Sequence, residues 1–232
     1  MYDKQKHMSP VVLFLSLLIA GALAIALFYI AYFALINFQP SSTKIRTDLK
    51  KMKSEIMPWI DQLVPWTKEE MDLLSTNQVN QKIKRGIITT AKGIFTSVYH
   101  EPLIAYSYKK YVSPNVNTVL FVKTSHHEFV FRTKKKGTEL FIDNQPVGTI
   151  TNEGLLYGGK RNRLLAKINK KGSELELPII VGDKERGILV KADSSGEVNA
   201  RALQLVTPMG NQEESVFLSL AILELVNDSI SK

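Results

Sequence analysis

The stretch EESVFLSLAILELV, residues 213–226, decides how this chain folds. Acids occupy its first turn, where they suit the positive end of a helix dipole. Beyond them, Val216, Phe217, Leu218, Leu220, Ala221, Ile222, Leu223, Leu225 and Val226 cover nearly the whole circumference. A helix apolar all round is buried on most sides. At this length it cannot cross a bilayer upright, so the rest of the chain must enclose it.

The preceding sequence supplies walls. Short β-rich runs recur at about 8–12-residue intervals with Gly, Asn, Asp or Pro between them, the rhythm of a sandwich or barrel. They fall at 93–98, 103–108, 118–123, 128–132, 138–142, 147–151, 164–169, 175–181, 187–191 and 198–205. Residues 174–178 alternate cleanly between polar and apolar, and no run keeps a helical period beyond about two turns. IDNQPVG (142–148) and VGDKERG (181–187) both place Asn or Asp two residues after an apolar residue and Gly six after it, and both suit hairpin tips. The expected fold is mainly β: an N-terminal transmembrane helix followed by a closed β-barrel-like domain around an apolar C-terminal helix.

The transmembrane helix is read from residues 11–36, VVLFLSLLIAGALAIALFYIAYFALI, which hold no charged side chain. About 20 helical residues cross the hydrocarbon core of a bilayer, whereas the apolar part of a secretory signal is only ~7–15 residues long. Residues 1–10 form a short flank and 11–37 the span. Lys4 and Lys6 precede it, while Lys44, Arg46, Lys50, Lys51 and Lys53 follow it. The heavier cationic side predicts a cytoplasmic location for the rest of the chain. Ala20, Gly21, Ala22 and Ala24 read first as ordinary small residues of such a helix and second as a stripe that lets another helix approach closely.

Residues 38–66 form a linker. Ile45, Leu49, Met52, Ile56, Trp59 and Leu63 step by four and three residues, the spacing of an apolar helical seam. A helix over 43–57 is expected, with a kink at Pro58. Its seam either packs on the domain or lies on a bilayer through Trp59 and Trp66. Thr67 and Glu70 make a capping box opening a short helix with Met71, Leu73 and Leu74, the start of the 67–232 domain.

An apolar fraction of 44% excludes a disordered chain, and the absence of cysteine excludes disulfides and thiol chemistry. The net charge of +8 gathers in short runs: 44–53, 82–85, 109–110, 134–136 and 160–163. Beside a membrane such charge points to anionic lipid headgroups, each exposed Lys or Arg contributing about 1 kcal/mol. No nucleic-acid reading motif accompanies it. The expected headgroup or partner contacts are Lys134, Lys135, Lys136, Lys160, Arg161 and Arg163, because loop cations reach phosphates while their strands stay packed.

Strands carrying the 142–148 hairpin, later strands with Arg201-Ala202-Leu203, and then the 214–226 apolar helix resemble the superfamily of tubby C-terminal, phospholipid scramblase and LURP-one domains. The resemblance spans roughly 67–230. It implies a closed barrel around a hydrophobic C-terminal helix and work at membranes, in some members on phosphoinositides. This chain adds an anchor and lacks the cysteine cluster associated with scramblase lipidation, so transport activity is not implied.

No catalytic constellation emerges. There is no GxSxG elbow, and Gly158-Gly159-Lys160 lacks phosphate-loop spacing. His127-Glu128 starts like a zinc protease motif, but Phe131 stands where the second ligand belongs. His126 and His127 are neighbours on a strand and face opposite ways, and His100 reads as a turn residue. The sequence therefore predicts no enzyme, no metal and no cofactor. It predicts a single-span protein whose basic barrel binds anionic lipid or a protein partner, or alternatively an accessory subunit of a larger membrane complex.

Overall fold

The computed structural model describes residues 10–38, 40–112, 117–159, 162–170, 175–191 and 200–231. Lys160 and Arg161, both expected contacts, lie outside them, as do Lys4, Lys6 and the start of the 198–205 run.

Helix α1, Pro10–Phe38, carries a window, Pro10–Leu35, that is long and apolar enough to cross a membrane, none of it buried within the chain. Helix α2, Ser42–Ile60, starts after a three-residue gap. The Ser41 hydroxyl caps it by accepting the Lys44 N–H at 3.2 Å. It continues past Pro58, farther than the sequence suggested, and ends two residues beyond it at Ile60. A 3-10 helix, Lys68–Leu73, follows with the Thr67–Glu70 capping box formed. Leu74, expected to end that helix, instead begins a strand.

Twelve strands form one antiparallel sheet in chain order: β1 Leu74–Lys84, β2 Thr89–Ser97, β3 Pro102–Lys110, β4 Thr118–Thr124, β5 Glu128–Lys134, β6 Gly137–Ile142, β7 Gln145–Ile150, β8 Leu155–Gly158, β9 Arg163–Ile168, β10 Glu176–Val181, β11 Lys184–Val190 and β12 Leu203–Gln204. The sheet curls until its ends meet. Ser75 bridges Arg201, the Thr76 N–H donates to the Ala200 carbonyl at 3.0 Å, and the Ala202 N–H donates to the Leu74 carbonyl at 2.7 Å. The 143–144 tip has Asp143 and Asn144 at φ 48° and 65°, the left-handed pair that a tight hairpin needs.

Two strands are not legible in the sequence. β1 reads NQVNQ through its middle, poor in β-formers, and two register shifts against β2 break its periodicity. β8 is only four residues long. Conversely, the last expected strand shrinks to Leu203–Gln204 among the described residues.

Helix α3, Asn211–Ser231, fills the barrel. Phe217, Leu218, Leu220, Ala221, Ile222, Leu225 and Val226 are buried in one cluster with Phe95, Tyr106, Leu120, Phe129, Leu140, Leu156 and Ile179 of the walls. Each large side chain so buried contributes about 1.5–3 kcal/mol. A second core lies outside the barrel. Ile45, Met52 and Ile56 of α2 pack with Ile94, Ala105, Val119 and Phe121, the residues of β2, β3 and β4 that point away from α3. Trp66 is buried in the interior cluster and Trp59 stacks near Lys92, so α2 packs on the domain rather than lying on a bilayer through these two rings.

Candidate functional site

An up-and-down barrel sends successive loops to alternate ends. Among the described residues, one end holds the turns 85–88 and 135–136, residues 151–154 and the flanks of three further connections at 111–112, 169–170 and 191; the other holds 98–101, 125–127, 143–144, 182–183 and 205–210, with 159 and 162 flanking one more. Strands mostly of six to nine residues, tilted as in a barrel wall, separate the two ends by roughly 20 Å.

Helix α2 relates these ends to α1. Near its start, Asp48 accepts from Tyr111 Oη at 2.8 Å and Lys109 Nζ at 2.9 Å, both at the first end. Past its middle, Lys53 reaches Glu128 at 2.6 Å, and after it the Val64 N–H donates to the Pro102 carbonyl at 2.8 Å, both at the second end. The first end is thus the one beside the α1–α2 junction. Burial, then the Asp48 hydrogen bond, push the Tyr111 hydroxyl pKa far above its ordinary value.

The two ends differ in charge. At the end beside α1 the described loops and strand ends carry Lys84, Arg85, Lys109, Lys110, Lys134, Lys135, Lys136, Lys170 and Lys191, against Glu153 and Glu176. Of the deeper acids near this end, Asp48 pairs with Lys109, Glu139 with Lys134 and Glu224 with Lys170, and Asp228 lies one turn farther along α3. Lys84, Arg85, Lys110, Lys135 and Lys136 have no ion pair among the described residues. Among the described residues the far end carries Asp61, Glu69, Glu70, Asp72, Glu101, Glu128, Asp143, Asp183, Glu185 and Glu213, with fewer cations: Lys68, Lys123, Arg163, Lys184, Arg186 and Arg201, the last ion-paired with Asp72. Several of its acids are held ionised. The Gly210 N–H and then Arg186 lower the Glu213 pKa. Burial opposes the Asp143 carboxylate, but the Glu128 N–H and the His127 ring, 2.7 Å away, outweigh it.

This division separates the expected contacts. Lys134, Lys135 and Lys136 end β5 and turn into β6, beside α1. Arg163 begins β9 at the far end, so it cannot share one flat surface with them. The sequence grouped these cations by type, and strand direction pulls them apart. What the sequence did not nominate is Arg85 and Lys110. Both runs were visible as basic, but only the Thr89–Lys110 pairing of β2 with β3 shows that they adjoin.

Three cavities open at the ends among the described residues, one of about 400 Å³ between Lys68, Asp72 and Leu205 at the far end and two that flank α3. At the basic end a cleft of about 350 Å³ lies between the β1–β2 tip and the end of α3, lined by Arg85, Thr89, Lys110, Asn227 and Ser231 among others. At the far end an apolar hollow of about 520 Å³ lies between Val147, Leu165, Val181 and Val216, with Arg163 and the Arg186-bound Glu213 at its rim. His127 is tied to Asp143, and no group of three or more His, Asp or Glu positioned for a metal occurs among the described residues.

No family model, curated protein or solved structure matches the chain, so the geometry alone carries the functional reading.

Proposed function

We propose that this is a single-span membrane protein that holds the basic end of a tubby/scramblase-like barrel against an anionic leaflet on the cytoplasmic side, as a non-catalytic lipid-surface module. The observation that carries the reading is the clamp of α2 onto the barrel at its basic end. Between Phe38 and Ser42 stand only residues 39–41, and a chain of that length spans no more than about 14 Å. If α1 crosses a bilayer, its headgroups lie beside Lys109, Lys110 and the loops around them. Lys110 and the other unpaired cations of this end each gain about 1 kcal/mol near an acidic surface, whereas Lys109 is held by Asp48. The acidic far end, roughly 20 Å away, is held off by the same field.

The family likeness is supported by element order, twelve antiparallel strands followed by an engulfed helix. The cytoplasmic side is supported by Lys44, Arg46, Lys50, Lys51 and Lys53 just after α1.

The test is amide hydrogen exchange of the full chain in nanodiscs of neutral or anionic phospholipid. Slower exchange at 134–137 and 84–89 in anionic discs alone, with 98–101 unchanged, is the expected result. Equal exchange in both lipids would set the lipid reading aside in favour of an accessory subunit whose basic end meets an acidic protein. A reporter that works only in the cytoplasm, fused after Lys232, should be active.

A further inference from the structure

At the basic end two large apolar side chains are exposed among the described residues, Ile87 and Leu175, and Ile87 is the more exposed. Ile87 is 65% exposed at the tip of the β1–β2 hairpin, with Lys84 and Arg85 just before it. Single exposed apolar residues are ordinary on protein surfaces. This one sits on the turn next to the β3 end to which α2 is clamped, since Thr89 pairs with Lys110 and Lys109 holds Asp48.

Behind the tip lies the cleft of about 350 Å³. No Asp or Glu lines it. Arg85 donates one N–H to the Ile230 carbonyl at 3.2 Å, which leaves most of its five donors for another acceptor. Lys110 faces the same space, and Thr89 adds a hydroxyl, while the Ser231 hydroxyl donates to the Asp228 carbonyl. Two cations with the Thr89 hydroxyl and no acid in the lining make a seat for a phosphate, which carries several strong acceptor oxygens.

We propose that the β1–β2 hairpin is an insertion wedge for anionic phospholipid: Ile87 enters the interface while a lipid phosphate sits between Arg85 and Lys110. The proposal rests on the reading that the basic end faces a leaflet. The adjoining apolar side chain selects the source of the phosphate. A free phosphate offers nothing to Ile87, whereas a lipid surface presents acyl chain and phosphate together. Cations beside an apolar tip also keep the hairpin at headgroup depth, since their charge stays in the polar layer.

The chain has no cysteine, so Ile87→Cys, Lys135→Cys and Tyr99→Cys each give a single attachment point for an environment-sensitive fluorophore. The full chain is placed in nanodiscs of neutral lipid, or of neutral lipid mixed with phosphatidylglycerol, each with spin-labelled acyl chains as quencher. The expected result is a blue shift and strong quenching at position 87 in the anionic discs, with none at position 99 on the far end. Adding Arg85→Gln and Lys110→Gln should remove most of that quenching, and the charge-keeping Arg85→Lys and Lys110→Arg should retain it. Headgroup-labelled lipid should quench position 135 in either case.

Quenching at 135 without quenching at 87 overturns the wedge and leaves the lipid surface standing. Absence at both positions overturns both. Loss of the position-87 signal on adding millimolar inorganic phosphate at constant ionic strength would assign the cleft to a soluble anion and overturn the lipid assignment. Unchanged quenching in the double Gln variant would overturn the phosphate seat.

Discussion

Lys109 Nζ lies 2.9 Å from Asp48 Oδ1, joining a helix outside the barrel to a strand whose other face covers the helix inside it. Asp48 is 5% exposed and also accepts the Tyr111 hydroxyl at 2.8 Å. Lys44, one turn earlier on α2, stands 3.7 Å away on the open side. A carboxylate this buried persists because cation and hydroxyl together replace its water. It fixes α2, and with it the direction in which α1 leaves the domain.

Replacing Asp48 with Ala should strand Lys109 and the Tyr111 hydroxyl at the α2 interface. Breaking a buried pair on one side costs about 3–5 kcal/mol, and the partial exposure of Lys109 places this case at the lower end. Denaturant unfolding would read the loss. Hydrogen exchange should quicken first along Ser42–Ile60, with the α3 core retaining its protection. Uniform quickening would mean that α2 is part of the barrel's own cooperative unit.

Tyr111 predicts a loss of stability in alkali. Its folded pKa is raised, so the folded state holds the phenol proton after the unfolded chain has released it. Stability from this group is therefore full below the unfolded value of about 10 and declines as pH rises above it. Tyr106 and Tyr108, both raised by burial, act in the same direction. Stability measured from pH 8 to 11 should fall less steeply for Tyr111→Phe than for the parent chain.

Leu220 is 1% exposed on the face of α3 that meets the barrel wall. Truncation to Ala removes buried methyl groups and leaves a cavity that twelve hydrogen-bonded strands cannot readily close, a loss of about 2–5 kcal/mol. Thermal and denaturant unfolding should both show it. A change below about 0.5 kcal/mol would be the size expected of a surface site and would place α3 at the periphery.

Two glycines separate backbone packing from surface position. A Cβ on Gly148 would stand 2.0 Å from the Tyr157 carbonyl oxygen, so Gly148→Ala must part β7 from β8. Soluble yield should collapse, or stability fall by more than about 3 kcal/mol, the range of overpacking against an element that cannot move aside. A Cβ on Gly159, one turn away at the end of β8, meets nothing within 4 Å, and Gly159→Ala should change stability by less than about 0.5 kcal/mol.

Some of this could be anticipated from particular residues. Val216 to Val226 announced a buried helix because no face lacks an apolar side chain. The tips at Asp143-Asn144 and Gly182-Asp183 were legible because left-handed turns draw from a narrow set of residues. The docking face for α2 also had a signal, though an indirect one. Val119-Leu120-Phe121-Val122 is apolar without alternation, which a strand needs when both faces are covered. Leu120 and Val122 face α3, and Val119 and Phe121 face α2.

The candidate site was less legible. Lys134, Lys135 and Lys136 stood out as a run, yet their partners in space, Arg85 and Lys110, belong to other hairpins and meet only through strand register. Arg163 looked equivalent to them and lies at the opposite end. Charge in a sequence has a position along the chain but no direction, and in a meander each added strand reverses direction.

By itself, the sequence determined the parts: an apolar N-terminal helix, a seam-bearing linker helix, a β-rich domain and a helix that must be enclosed. These follow from local chemistry, since periodicity, propensity and turn residues act over a few neighbours. Only the tertiary structure decided that the barrel has a basic end and an acidic end, and that the basic one adjoins α1. That outcome depends on twelve strand directions and on one buried carboxylate clamping α2 to β3, contacts between residues some sixty apart in the chain.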